Sequence, residues 1–309
     1  MTQYALRVGG NSEIKRWLFP FLFVSIYGSG FAGAKLSLPD SSPLTFLSIR
    51  FLLAGFILLV IAFIAKDQLP SLREFFHISI AGSLTVAVFT IGVFESIDSG
   101  LSPAISALII GLQPVMVSVF ARKMVNESLN IFQWIGLALG LVGVGIVVSS
   151  NIDSSKASAL SIVLSFVALI GLTFGTLYQK KYCATMNVFI GGSIQSLVSG
   201  VICLILLVVF QDYRLTFTTN FFIALVHMSI GISIGALTIL YLMIRDGNVS
   251  KVASVFYLVP VSAAISGYLV FGETFEGSTI FGASVVLLGV FLTNYGGKKL
   301  SLGSPRSGI

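Results

Sequence analysis

Arg50 stands about two turns into an apolar run that begins at Pro43, and Lys35 closes the run before it. A cation in such a place has two uses: its head snorkels to the membrane interface, or it faces an internal cavity and attracts an anionic group such as a carboxylate. Tyr27 and Tyr257 carry hydroxyls inside other apolar runs, each near a glycine or proline, and Gln113 directly precedes Pro114. His227, some eight residues into its run, titrates near neutral pH if it serves proton coupling; otherwise it is a hydrogen-bonded packing residue. Tyr27, Lys35, Arg50, Gln113, His227 and Tyr257 form the candidate substrate-binding set. Pro114 and Pro260 are each expected to kink a helix, freeing a carbonyl that neighbours or cavity water must satisfy. Such a kink either shapes a cavity and hinges, or simply improves packing.

Glu127 and Glu273 follow these prolines by thirteen positions. Both fall at helix junctions, where a carboxylate suits the positive N-terminal end of a helix. Glu95 and Asp98 read as a wetted helix end. No carboxylate falls at mid-span, which speaks against a strongly proton-coupled pump and leaves exchange or potential-driven movement open. Phe89, Trp134 and Tyr241 are further aromatics able to line a cavity, although most of the 26 Phe must face lipid or core. Cys183 and Cys203 give neither a disulfide framework nor metal spacing. The glycine-rich GSGFAG at 28–33 lies inside an apolar run with no strand before it, so it is not a nucleotide loop, and no cofactor is expected.

What must position these residues follows from composition. The 309-residue chain is 56% hydrophobic and only 10% charged, against roughly 25% charged for a soluble domain. Lipid is therefore the expected solvent. The net charge of +6 sits in short tails and loops rather than on one face, so a nucleic-acid partner is not expected. Ten apolar runs, at 17–38, 43–65, 75–95, 101–121, 131–149, 158–178, 187–210, 220–244, 251–271 and 278–295, each approach the ~20 residues that a spanning helix needs. No removable signal peptide is expected in the first sixteen residues. With the N-terminus inside, 14 Lys and Arg fall on the cytoplasmic side and 2 (Lys156 and Arg214) outside, with Lys35 and Arg50 near helix ends. Basic residues favour the inside, so both termini are expected in the cytoplasm.

The chain also repeats. An offset of 146 carries Pro114 to Pro260, Glu127 to Glu273, Gly136 to Gly282 and Gly143 to Gly289; Lys35 falls on Lys181 at that offset, or on Lys180, with Gly30 on Gly175, at an offset of 145. Five helices per half is an odd number, so the second half must enter the membrane from the opposite side. The expected fold is all-α and integral to the membrane: ten transmembrane helices in two inverted five-helix repeats. Its divisions are a tail at 1–16, a first repeat at 17–150, a second at 151–296 and a tail at 297–309.

The segments IYGSGFAGAKLSL at 26–38, SPAISALIIGLQPVMVSVFARKMVNESLNIFQWIGLALGLVGVGIVV at 102–148 and ILYLMIRDGNVSKVASVFYLVPVSAAISGYLVFGETFEGSTIFGASVVLLGV at 239–290 carry a resemblance. They are similar to the drug/metabolite transporter superfamily, in its ten-helix branch with two EamA repeats. The sequence departs from that pattern at Tyr27, where Trp is usual, and at Asn126, where Gly usually precedes the glutamate. The resemblance implies a secondary transporter that moves a small metabolite, often exporting an amino acid or related compound, by alternating access. Its partners are then the substrate and the lipid bilayer, in a monomer or homodimer of the cell membrane. The competing reading is a non-transporting structural or regulatory membrane protein. Paired mid-span carboxylates, metal clusters and nucleophile–base sets are missing from the sequence, so an enzyme is not expected.

Overall fold

A computed structural model describes residues 12–101, 106, 109–127, 129–149, 158–211, 213–272 and 277–295. Glu273, Lys156 and most of both tails lie outside the described residues. The described chain is helical throughout its ordered elements. In order these are α1 (Ser12–Gly28), α2 (Gly30–Ser37), α3 (Pro43–Ile64), α4 (Leu72–Asp98), α5 (Gln113–Val125), α6 (Ile131–Ser149), α7 (Ala159–Tyr182), α8 (Val188–Phe210), α9 (Thr219–Asp246), α10 (Val249–Phe271) and α11 (Gly277–Tyr295). Six of them, α3, α4, α7, α8, α9 and α10, are long and apolar enough to cross a membrane; α6 and α11 contain shorter apolar stretches.

Apolar residues cover the outside as well as the core. Phe56, Phe63, Ile64, Leu69 and Phe217 are all more than half exposed, Phe63 to 86%. A soluble protein rarely shows such a contiguous apolar surface, and a lipid-facing one must. Polar residues inside the bundle are mostly satisfied within their own helices. Ser48, Thr176 and Ser199 donate to the carbonyls of Leu44, Leu172 and Gln195, four residues back, at 2.6, 2.6 and 2.7 Å.

The internal repeat is visible in contacts. Where α6 and α11 cross, a Cβ placed on Gly143 would meet the Val286 nitrogen at 2.7 Å and the Gly282 oxygen at 2.9 Å. One on Gly289 would meet the Gly140 nitrogen at 2.5 Å and the Gly136 oxygen at 2.7 Å. The offset of 146 exchanges these two sets residue for residue. At α3 and α8, Gly55 abuts Leu197 while Gly200 abuts Leu52, and the offset of 145 exchanges that pair. Small residues at equivalent places let backbones approach closely, which is how helices hold together where lipid removes the hydrophobic drive between them.

Two irregularities recur too. Ser83–Val88 within α4 and His227–Ala236 within α9 are π-helical, a winding that accommodates an extra residue and concentrates at functional sites. Pro114 and Pro260 also differ from a simple mid-helix kink. Each is the second residue of a 13-residue helix, Gln113–Val125 and Val259–Phe271, entered through Leu112 and through a 3-10 turn at Val255–Leu258. In the first turn the missing N–H has no partner to lose, and the ring fixes a φ that suits a helix. The apolar runs at 101–121 and 251–271 are therefore interrupted just before their prolines. Both 13-residue helices end on a left-handed residue, Asn126 at φ 56° and Gly272 at φ 69°.

Candidate functional site

The π-helical segment of α9 meets α3 at Arg50. Arg50 is 3% exposed, its Nε donates to the Ser233 hydroxyl at 3.0 Å, and Ser229 donates to its backbone carbonyl at 3.4 Å. The charge is held where it is by helix geometry. Pro43 opens α3 behind the extended Ser42, and two helical turns carry Arg50 inward. Its guanidinium lies 5.1 Å from the centroid of the Phe51 ring. Among the described residues Arg50 makes no ion pair.

Arg50 forms part of the wall of a cavity of about 60 Å³. Tyr27 and Phe31 come from α1 and α2, Phe51 from α3, Thr85, Phe89 and Thr90 from α4, and Met228 and Ile232 from α9. Both π-helical segments contribute: Thr85 belongs to one, Met228 and Ile232 to the other. A water-sized sphere needs on the order of 10–15 Å³ by this measure, so the space admits several waters or a small organic group. The Tyr27 ring stacks on Phe23 at 4.9 Å and meets the edge of Phe256 at 5.6 Å, tying this wall to α10. Among the described residues no group of three His, Cys, Asp or Glu side chains converges to hold a metal.

Of the six candidate residues, Tyr27 and Arg50 reach the cavity wall and four stand elsewhere. His227 is half-buried, and its Nε2 shares a 2.9 Å hydrogen bond with Ser29. Tyr257 is fully buried, donates to the Leu137 carbonyl at 3.0 Å and packs with Leu137, Val144 and Val286. Its hydroxyl is spent on backbone. Gln113 is also fully buried, and among the described residues neither atom of its amide has a hydrogen-bond partner. Lys35 is exposed, with its ammonium 4.6 Å from the Phe271 ring. Thr85, Thr90 and Ser233 join the site without having been singled out, because a hydroxyl in an apolar helix usually serves its own carbonyls.

Polar contacts tie the helices at two ends. At one end Lys180 donates to the carbonyls of Ile244, Arg245 and Gly247 at 2.8, 3.1 and 2.7 Å, placing a cation on the negative C-terminus of α9. Nearby, Glu127 accepts from the backbone nitrogens of Val249 and Ser250 at 2.9 and 3.3 Å. It thus caps α10, a helix of the other repeat, rather than the α6 that follows it. A Glu127→Gln variant should lose about 1 kcal/mol of charge–dipole stabilisation, seen as a Tm lowered by about 2–4 °C in detergent. At the other end Arg214 pairs with Asp98 at 3.1 Å, and Thr218 donates to Asp40 at 2.6 Å.

Residues 16–149 and 159–295 each match the EamA-like transporter family. Escherichia coli (strain K12) has an "uncharacterized inner membrane transporter YedA" that is 25% identical over 285 residues, covering 88% of this chain and 90% of that one. The "uncharacterized transporter YvbV" of Bacillus subtilis is 24% identical over 279 residues, covering 90% of each chain. A "probable amino-acid metabolite efflux pump" of Salmonella typhimurium is 21% identical over 285 residues, covering 89% of this chain and 93% of that one. A solved structure titled only as a crystal structure of a protein shares the fold, with a TM-score of 0.76 at 14% identity, covering 93% of this chain and 98% of that one.

Proposed function

The chain belongs to the EamA-like transporter family, a multi-pass membrane protein of the transporter class, and we propose that it is a secondary transporter exporting an amino acid or related small metabolite by alternating access. In this reading ten helices cross the membrane as two inverted repeats with both termini in the cytoplasm. The relative named as an inner membrane transporter supports the cell membrane as its place. The relative named as an efflux pump for amino-acid metabolites supports the substrate class and the direction.

One observation carries the reading. Arg50 in the first repeat is held by Ser233 of the second, at the wall of a cavity to which both repeats contribute. A buried cation without an anionic partner is costly in a bilayer, by roughly 2.5–3.5 kcal/mol on insertion scales. An anionic group on the substrate would offset that cost. Inverted repeats meeting around such a site supply the two access routes. Oriented with basic residues inside, the Lys180 and Glu127 contacts lie at the cytoplasmic end, and the Arg214–Asp98 pair at the outer end. Each is a polar seam that one of the two open states must part.

Efflux from proteoliposomes loaded with labelled amino acids and their metabolites tests the proposal. At least one solute should leave faster than from protein-free vesicles and show counterflow. If no solute in a broad metabolite panel moves or binds, the carrier reading fails and a non-transporting structural or regulatory role takes its place.

A further inference from the structure

Among the described residues, the wall around Arg50 carries charge of one sign only. Its other polar groups are the hydroxyls of Tyr27, Thr85 and Thr90, and the two threonines already donate to the carbonyls of Ala81 and Val86. The rest is apolar, much of it the rings of Phe31, Phe51, Phe89 and Phe94. The carboxylates nearest this end of α4 are otherwise placed: Asp98 pairs with Arg214, Glu95 is half-buried and not part of the described wall, and Asp40 accepts from Thr218. His227, a further titratable side chain, is bound to Ser29 and also stands off the wall.

Resting on the transport reading above, we infer that the cavity selects organic monoanions with a small apolar body, and disfavours the zwitterion of the same skeleton. A carboxylate beside Arg50 gains the full attraction of the guanidinium. An α-ammonium is fixed only two bonds from that carboxylate. It sits within the same low-dielectric space, is repelled by Arg50, and meets no described carboxylate to replace its lost hydration. Because the Coulomb interaction falls only as 1/r, that repulsion cancels more than half of the gain. The phenyl faces attract a cation weakly at best while one is already present. An amine lacking the carboxylate has the repulsion and none of the attraction. The proposed substrate is thus the deaminated counterpart of an apolar amino acid.

Three probes with one skeleton isolate the charge at a size the cavity admits: propionate, alanine and ethylamine. Purified full-length protein in lipid nanodiscs is titrated with each, and the ligand-induced rise in Tm is read. Stabilisation by propionate is expected at concentrations lower by at least about tenfold than by alanine, with no response to ethylamine. The Arg50→Met variant should lose the response to the anion, and Arg50→Lys should keep the order of preference at weaker affinity. The melting curve of each variant shows directly whether it is folded. Palmitate, whose chain exceeds the cavity, separates a soluble acid from a lipid; an equal response to it overturns the assignment. Equal or better stabilisation by alanine also overturns the inference while leaving a transporter of zwitterions standing. If none of the three binds, yet other solutes of the metabolite panel move in proteoliposomes, the monoanion class is wrong and the transport reading survives. If none binds and no solute moves, both fall together.

Discussion

Replacing Arg50 with Met is expected to reduce transport by about 100-fold or more while leaving the melting temperature within a few degrees of the parent. Two terms decide the stability. The variant gives up one hydrogen bond from a charged donor, the 3.0 Å contact of Nε with Ser233, worth about 1.5–3 kcal/mol. It also removes a cation that is 3% exposed, recovering roughly 2.5–3.5 kcal/mol of burial cost. These nearly cancel, and a methionine of similar length fills the space with a flexible apolar chain. Ser233 is not stranded, because a helix hydroxyl turns readily to the carbonyl four residues back, as Ser48 and Ser199 do in this protein. Transport has no such compensation, because the substrate's anionic group would enter an apolar cavity without a counter-charge. Initial efflux rates in proteoliposomes and Tm in nanodiscs, taken on the same preparation, separate the two effects. A Tm that drops by ten degrees together with transport would assign Arg50 to the scaffold and remove it from the site.

Arg50 could be singled out in the sequence for the same reason that it matters here: a charge two turns inside an apolar run has no inexpensive explanation. Tyr27 stood out beside its glycines and also reaches the wall. Tyr257 and Gln113 were singled out for standing close to prolines taken to lie at mid-helix. The structure breaks both runs just ahead of the prolines, at Leu112 and at Val255–Leu258, and turns Tyr257 into the packing of α6 and α11. Nothing in an unbroken apolar string marks such a break, since lipid-facing and core-facing residues are equally apolar. The π-helical segments were invisible for a related reason. An extra residue in a helical turn changes the hydrogen-bonding partner, not the residue types, so SLTVAV and HMSIGISIGA read as ordinary helix. The repeat was legible because glycine and proline are constrained by backbone geometry. Gly136, Gly143, Gly282 and Gly289, matched by spacing alone, are all in the contact that joins α6 to α11.

That contact carries the largest stability effect expected in the molecule. A Gly289→Val variant forces a branched side chain onto backbone, with the Gly140 nitrogen 2.5 Å and the Gly136 oxygen 2.7 Å from the new Cβ. Backbone cannot rotate aside as a flexible side chain can, so α6 and α11 must separate along the crossing. A loss of about 3 kcal/mol, at the upper end for overpacking, is expected, which lowers Tm by about 6–12 °C. Gly143→Val should cost a similar amount, since its Cβ meets the Val286 nitrogen and the Gly282 oxygen in the equivalent arrangement. Gly145 supplies the control: among the described residues nothing lies within 4 Å of a Cβ there. Gly145→Ala should be neutral or stabilise by up to about 1 kcal/mol through helix propensity alone. The double variant is the sharper test. Both valines wedge the same pair of helices apart, so once one has opened the crossing the second meets less resistance, and the combined loss should fall well short of the sum. Tm values for the four proteins in one lipid composition measure this directly. Strict additivity would mean that the two glycines act at independent contacts, and the symmetric crossing would then not be the unit that holds α6 to α11.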